Sequence, residues 1–301
     1  MSEVLKNLLR KKLITQEQYD DVLYAREQKE FVAKHVAENK QANDLQDIRE
    51  KVAASNFCFV LDKGNAEEQP KATLVLGGPG SGKSSIIHTL KEMAAEEGKP
   101  DLGIVVDSDN FKKDIIEYYG LPKDHLGKSD PTIHAMSDTL ATELRLSLVS
   151  HNQSFTQPLV GRHRGVIEET VGILHDEFGY DVDMIMLEVT PEFSSLSAVK
   201  RLTKHKDIET GKPTGQFVDP EYAYNATVAL DGTYEHYVDT LKDKLNGYAL
   251  IDNNHYQQAV IESTNIAGIP NTVKKCCKTG IQSERDDTFY SLEDDISSLD
   301  R

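Results

Sequence analysis

The sequence predicts an α/β fold, in which a parallel β-sheet carries α-helices on both faces and a helical extension precedes it. Two observations lead to this prediction. Strand-like apolar runs alternate with segments whose apolar residues recur at helical spacing, and strands separated by helices pair in parallel. The strand-like runs are 72–76, 103–106, 154–160, 182–189 and 248–251. The helical stripes are Ile86, Ile87, Leu90 and Met93, then Met136, Leu140, Leu144 and Leu148, then Ile167, Val171, Leu174 and Phe178.

The 301 residues divide into three predicted parts. Residues 1–65 are rich in Lys, Glu, Gln and Ala and predict a helical hairpin. Within it, Thr15 followed three positions later by Gln18 has the pattern of a capping box at a helix start. Residues 70–265 hold the alternating strands and helices. Residues 266–301 end in a strongly acidic stretch that predicts a flexible tail.

Charge and cysteine content narrow the class of protein. The net charge of −16 excludes a general electrostatic attraction to long nucleic acids or anionic membranes. No apolar run is long enough to predict a membrane span. The three cysteines, Cys58, Cys276 and Cys277, have neither disulfide nor zinc-site spacing. We therefore expect a cytoplasmic protein, with delivery into a host cell as an effector left open.

A glycine-rich segment follows the first strand-like run and precedes an amphipathic helix. Its sequence, GGPGSGKS at 77–84, matches the phosphate-binding loop (P-loop) pattern G-x-x-x-x-G-K-[ST]. Backbone amides of such a loop surround phosphates, the lysine reaches the terminal phosphates, and the next hydroxyl binds Mg²⁺. The predicted nucleotide-binding residues are Gly78, Pro79, Gly80, Ser81, Gly82, Lys83, Ser84 and Ser85. We expect ATP with Mg²⁺, leaving GTP open, although no N-K-x-D guanine motif is present.

Two carboxylates follow the second strand-like run, in the sequence Asp107-Ser108-Asp109. A parallel strand delivers its carboxyl end to the same edge of the sheet as the glycine-rich loop. We predict that Asp107, with Ser84, holds the metal and that Asp109 accepts the proton of an attacking hydroxyl. In an extended chain both side chains would point the same way. The alternative is that the segment caps a helix.

A basic cluster stands out in this acidic chain. Lys200, Arg201 and Lys204 are spaced to share one helix face, and a loop rich in Gly and Pro follows them. Basic residues on a mobile lid can stabilise the charge of a phosphoryl group during its transfer. We select Arg201 as the catalytic cation, and an ordinary solvated helix face is the alternative.

Together these features resemble the zeta toxin family over about residues 74–251. The resemblance is carried by GGPGSGKSS, VVDSDNFKK, the helix from His134, the strand end LVGR and the basic lid. The best-known members of this family are kinases that phosphorylate UDP-N-acetylglucosamine. The resemblance implies a P-loop kinase fold, Asp109 as catalytic base, Lys83 and Ser84 at the phosphates and magnesium, and Arg201 as the first arginine of the lid.

Two positions differ from the family pattern. Gln157 stands near the place of a Glu-Gly-Thr element, and Gln216 stands where a second lid arginine is expected. For the acceptor molecule we select His134, Gln157, Arg162 and Lys204 as binding residues. His134 and Arg162 could equally be an ordinary helix start and an exposed loop residue.

The predicted function is therefore an ATP-dependent kinase that phosphorylates a hydroxyl of a small molecule, with a nucleotide sugar as first choice. Other acceptors stay open, namely a nucleoside, a dinucleotide such as NAD, or a nucleic-acid end. A non-catalytic, nucleotide-gated interaction protein is the third alternative. An antitoxin or host protein is expected as a partner from the family resemblance alone.

Overall fold

The computed structural model describes residues 3–40, 44–52, 67–96, 102–121, 130–254, 258–264, 266 and 272–274. The three cysteines and most of the predicted acidic tail lie outside these residues. Within the described ranges, no helix combines the length and the apolarity that crossing a membrane requires.

The sheet has five parallel strands in the order β2-β3-β1-β4-β5. The strands are β1 (Lys71–Leu76), β2 (Ile104–Val105), β3 (Phe155–Leu159), β4 (Asp181–Glu188) and β5 (Gly247–Asp252). Each coincides with a predicted apolar run, so the α/β prediction with a parallel sheet is confirmed. The order places β1 at the centre, with the start of the glycine-rich loop at its carboxyl end.

Two further strands extend the sheet beyond β5. These antiparallel strands are β6 (Gln258–Thr264) and β7 (Thr272–Lys274). Neither was predicted, and β7 lies inside the range 266–301 assigned to the tail. An antiparallel edge needs only a short connection, so the strand–helix alternation that revealed the other strands gives no signal here.

The helices lie between and before the strands. They are α1 (Glu3–Arg10), α2 (Gln16–Asn39), α3 (Asp44–Val52), α4 (Lys83–Glu96), α5 (Lys112–Tyr118), α6 (Pro131–Ser150), α7 (Arg164–Gly172), α8 (Pro191–Thr203), α9 (Pro220–Val228) and α10 (Thr233–Leu241). Residues 204–219, between α8 and α9, are called the lid segment below. Proline follows an Asp or Thr cap at the start of α6, α8 and α9, a sequence that fixes where each helix begins.

Apolar side chains cover both faces of the sheet. On one face, Leu74 and Phe155 pack with the buried stripe of α6. On the other face, Val75 and Ile185 pack against Ile86 and neighbouring residues of α4. Alternate residues of β1 therefore enter different cores, as expected of a strand buried on both sides.

The N-terminal hairpin, α1 and α2, packs on the rest of the chain. Thr15 and Gln18 form the predicted capping box at the start of α2. The first half of α2 joins α1 and α8 in a separate apolar cluster that includes Val22. The second half contributes Val32 and Val36 to the core of the sheet. The hairpin thus contacts both the sheet core and the helix that leads into the lid segment.

Candidate active site

The glycine-rich loop adopts a conformation that requires glycine. Gly80 and Gly82 have φ angles of 79° and 88°, in the left-handed region that other residues rarely occupy. A Cβ atom on Gly82 would also lie 2.5 Å from the side-chain nitrogen of Asn253. Substitution at Gly82 would therefore both strain the backbone and displace a neighbouring side chain.

Lys83 begins α4 and folds back over the loop. Its ammonium group donates to the carbonyl oxygens of Gly77, at 2.7 Å, and Gly78, at 3.0 Å. Burial lowers the pKa of Lys83 to about 8, and the nearby carboxylate of Asp107 partly opposes this shift. Ser84, the next residue, is exposed in the first turn of α4. Both residues are where the motif predicts the phosphate and metal ligands.

Two residues far away in the sequence hold the loop in shape. The amide nitrogen of Asn253, just after β5, donates to the carbonyl oxygen of Ser81. Because N–H and C=O point in opposite directions across a trans peptide plane, this bond turns the Gly82 N–H away from Asn253. Ser194 of α8 donates to the carbonyl of Pro79 at 2.6 Å. Asn253 and Ser194 were not predicted, because no local pattern marks a contact that only the tertiary fold creates.

The segment after β2 differs from the prediction in one respect. Strand β2 ends at Val105, and Asp107 caps a short 3₁₀ helix, Ser108–Asn110, by accepting from the N–H of Asp109 at 3.0 Å. The chain is therefore not extended through Asp109, and the premise from which we predicted that both carboxylates point the same way is wrong. The helix-cap alternative is correct for Asp107. Burial raises the pKa of Asp107 above its ordinary value.

Asp109 is held by two partners. Its carboxylate lies 2.7 Å from the ammonium of the buried Lys112. Its other oxygen accepts from the side-chain amide of Gln216, in the lid segment, at 2.9 Å. Burial alone would raise the pKa of Asp109, but Lys112, Gln216 and the charge of Arg201 together lower it. Asp109 is therefore ionised at neutral pH, as a proton acceptor must be.

The predicted catalytic groups converge on one place. The charges of Asp107, Asp109 and Arg201 each influence the pKa of Lys83, which requires that all three lie near its ammonium group. Arg201 is exposed near the end of α8 and also influences Asp109. Lys83, the two carboxylates and Arg201 thus lie within electrostatic range of one another.

Gln157 lies in β3, between the strand that leads into the loop and the strand that leads to the two aspartates, and Arg162 follows the end of β3. Gln157 is buried and pairs with Leu74 of β1 in the register of the sheet. Its carbonyl oxygen accepts from Arg145 of α6 at 3.3 Å, and burial lowers the pKa of that arginine. Arg162 is exposed beyond the end of β3, with its guanidinium 5.4 Å from the ring centre of Tyr222.

The other two predicted acceptor residues have surface positions. His134 is exposed on the second turn of α6 and faces Asp138 at 3.4 Å. Lys204 is exposed at the end of α8. For His134 the geometry fits the helix-surface alternative. Lys204 is one turn beyond Lys200, whose pKa burial lowers to about 8.

The residues proposed for magnesium supply oxygen ligands of the right kind. Ser84 offers a hydroxyl and Asp107 a carboxylate, both of which suit Mg²⁺. In the described part of the chain, no group of three or more His, Cys, Asp or Glu side chains could enclose a metal.

A cavity of about 510 Å³ opens at the carboxyl ends of β4 and β5. It reaches the glycine-rich loop through Thr227, which a Cβ on Gly78 would meet. None of the described residues that line it is Lys or Arg. Its polar lining includes Glu188, Asp231 and Glu235, and its apolar lining includes Met186, Leu230, Tyr234 and Leu250.

A phosphate loop with its lysine, two carboxylates and an arginine at one edge of a five-stranded parallel sheet define a P-loop protein of the kinase type. The family model described as Zeta toxin matches residues 60–256, which is more than half of the chain. The chain belongs to the zeta toxin family.

Two solved structures with TM-scores above 0.5 share this fold at low sequence identity. The AvrRxo1-ORF1:AvrRxo1-ORF2 structure with sulphate ions matches with a TM-score of 0.54 and 17% identity, covering 87% of this chain and 75% of that one. The AvrRxo1-ORF1:-ORF2 structure with ATP matches with a TM-score of 0.52 and 18% identity, covering 82% and 73%. A structure of the PezAT toxin–antitoxin system of Streptococcus pneumoniae has a TM-score of 0.49 and 18% identity, covering 75% and 81%. The comparison with curated proteins gives no significant match.

Proposed function

We propose that this protein is an ATP-dependent kinase that transfers the γ-phosphate to a hydroxyl group of a small molecule. A nucleotide sugar such as UDP-N-acetylglucosamine is the first candidate acceptor. The observation that carries the proposal is the position of Asp109: an ionised carboxylate that lies close enough to Lys83 to influence its pKa. Proton removal from an attacking hydroxyl requires an ionised carboxylate in such a position.

The reaction follows from this arrangement. Backbone amides of the loop and Lys83 hold the phosphates of ATP. The acceptor hydroxyl attacks the γ-phosphorus, a new P–O bond forms, and the bond between the γ-phosphorus and the bridging β,γ-oxygen breaks. ADP leaves with that oxygen, and the hydroxyl proton passes to Asp109. Arg201 offsets negative charge on the transferring group.

Magnesium fits beside the loop. Ser84 and Asp107 would hold it together with phosphate oxygens. When bound, the ion neutralises charge that develops between the β- and γ-phosphates. Asp107 has a second function, because its side chain caps the turn that carries Asp109 and so fixes the position of the base.

The cavity beside β4 and β5 supports a site for the nucleoside part of ATP. Its lining includes Thr227, the neighbour of Gly78 in the loop, combines apolar with acidic residues, and includes no described Lys or Arg. Such a lining suits hydroxyl and amino donors of a nucleoside better than phosphates. The related fold in the AvrRxo1-ORF1:-ORF2 structure contains ATP, which supports ATP as the donor.

The acceptor side carries positive charge. Gln157 is neutral, and its partner Arg145 makes this part of β3 electropositive. Arg162 adds a second guanidinium beyond the end of the same strand. Cationic groups of this kind bind phosphate oxygens, so they favour an acceptor that itself carries phosphate. A nucleotide sugar and a dinucleotide both meet this requirement.

The test is phosphate transfer from radiolabelled ATP to a panel of nucleotide sugars, dinucleotides and nucleosides. Asp109→Asn should lower kcat by about 10²–10⁴-fold while ATP still binds, and Lys83→Ala should weaken ATP binding as well. Asp239→Asn changes an exposed carboxylate on α10 and is the matched control. Full activity of Asp109→Asn would show that the assigned mechanism is wrong.

The same experiment separates the alternatives. A product formed only from NAD or a nucleoside keeps the kinase and changes its acceptor. ATP binding without any product favours the nucleotide-gated interaction protein. We further propose an antitoxin-like partner, since related folds were solved in two-component complexes, and co-purification from the native cell tests for it.

A further inference from the structure

The N-terminal hairpin forms ion pairs with the lid segment at both ends of that segment. At the far end, Arg26 of α2 binds Asp219 through two parallel bonds of 2.8 and 2.9 Å. At the near end, Lys206 lies 2.6 Å from Glu17 and 2.8 Å from Asp21, both on α2. Two-point carboxylate–guanidinium contacts fix orientation as well as distance.

The middle of the lid segment also contacts α2. The ammonium of Lys212 lies 4.6 Å from the ring centre of Tyr24, which is a cation–π distance. Phe217 is only 2% exposed and belongs to the apolar cluster that contains Val22 of α2 and Val199 of α8. Polar contacts and a buried aromatic ring therefore hold the segment along its length.

The held segment reaches the proposed base. Gln216 directly precedes the buried Phe217 and lies three residues before Asp219, so both anchors restrict its backbone. Its amide donates to Asp109 at 2.9 Å. We propose that the N-terminal hairpin contributes to the active site. Arg26 and Lys206 are positioning residues that keep the side-chain amide of Gln216 hydrogen-bonded to Asp109.

This inference rests on the proposed function only for its catalytic consequence. The family match begins at residue 60, and the hairpin precedes the matched residues. Besides the hairpin contacts, the lid segment has its own backbone bonds, the bond from Gly215 to the end of α8, the contact of Gln216 with Asp109 and the packing of Phe217 against α8. The ion pairs to α2 are the contacts that hold both of its ends.

The first experiment needs no substrate. Hydrogen–deuterium exchange is measured on wild type, Arg26→Met and, in case that variant folds poorly, Lys206→Met. We expect amides of residues 204–219 to exchange at least tenfold faster in each variant, with α4 unchanged. The informative amides are bonded within the segment or to the end of α8: Asp207, Gly211, Thr214 and Gly215. Lys34→Met, which removes a 74% exposed cation from the same helix, is the control and should match wild type.

The second experiment uses the phosphate-transfer assay. Gln216→Leu and Arg26→Met should each lower kcat, by about three- to tenfold, with little change in the KM for ATP. If Arg26 acts through Gln216, the double variant should be no slower than Gln216→Leu alone. Arg26→Lys keeps one contact to Asp219 and should recover part of the rate.

The two experiments fail separately. If the amide exchange rates of residues 204–219 are unchanged in the variants, the hairpin does not hold the lid segment, whether or not a kinase activity is found. If exchange is faster but the losses in kcat of Arg26→Met and Gln216→Leu multiply in the double variant, Arg26 does not act through Gln216. If exchange is faster but no phosphate is transferred to any acceptor, the proposed kinase function is wrong, and the role of the hairpin in holding the lid segment is supported.

Discussion

ATP affinity should fall steeply between pH 7 and pH 9 because of Lys83. Burial lowers the pKa of this lysine to about 8, and only its protonated form can bind the terminal phosphates. In the free protein, Lys83 is mostly protonated below its pKa of about 8 and loses its proton as the pH rises through 8. Bound phosphates favour the protonated form. The affinity for ATP should therefore be full well below pH 8 and should fall as the pH rises above it.

The magnitude follows from the fraction of protonated lysine. With a pKa of about 8, that fraction falls from about 0.9 at pH 7 to about 0.1 at pH 9, a factor of about ten or ~1.4 kcal/mol in binding free energy. Isothermal titration calorimetry with a non-hydrolysable ATP analogue at pH 7, 8 and 9 measures this change in affinity directly. Phosphate titration contributes little here, since its second pKa lies near 6.

Two variants make the experiment decisive. Lys83→Arg keeps the charge over the whole range and should bind with nearly constant affinity. Lys200 also has a pKa lowered to about 8 by burial, so Lys200→Met must retain the tenfold fall. Constant affinity in the wild type, or an undiminished fall in Lys83→Arg, would refute the role given to Lys83.

Three further predictions concern the loop, the hairpin and the base. Gly82→Ala should weaken ATP binding at least tenfold by titration, whereas Gly120→Ala, with a similar φ of 62° and open space around it, should leave affinity unchanged. Thr15→Ala removes the capping box of α2 and should cost about 1 kcal/mol, a fall of roughly 2–4 °C in Tm by calorimetry; an unchanged Tm would contradict the role of the cap. Lys112→Met removes the main cation beside Asp109 and should raise the pKa of that carboxylate, so the acidic limb of the kcat–pH profile should move to higher pH. An identical profile would show that Lys112 does not control the base.

The strands were predictable because each is a short, almost continuous apolar run between helical stripes. A parallel strand buried on both faces needs such a run, and β4, residues Asp181–Glu188, shows it over nearly its whole length. Strand β6 gave no comparable signal. It extends an already formed sheet, and its place is set by pairing with β5.

The site was predictable where its geometry is local. The loop from Gly77 to Lys83 encodes its own shape through glycine, and Asp109 follows β2 closely enough to share its edge. The direction of Asp109 was not predictable from alternation, because Asp107 begins a helical turn instead of continuing the strand.

Partners that come from elsewhere in the chain were invisible in the sequence. Lys112 lies three residues after Asp109, a helical spacing that could have indicated the pair. Asn253 carries no such signal, and Gln216 was marked only as a departure from the family pattern, without its contact to Asp109. They reach the base and the loop only after the lid segment and β5 are in place.

The strand order also sets a length scale for chemistry. Since β3 separates β1 from β2, the carboxyl ends of β1 and β2 stand two inter-strand spacings apart, about 10 Å. That gap can seat one phosphoryl group and the oxygen that receives it. In the proposed reaction, the phosphoryl group would cross the space between the carboxyl ends of β1 and β2, and the strand order sets the width of that space.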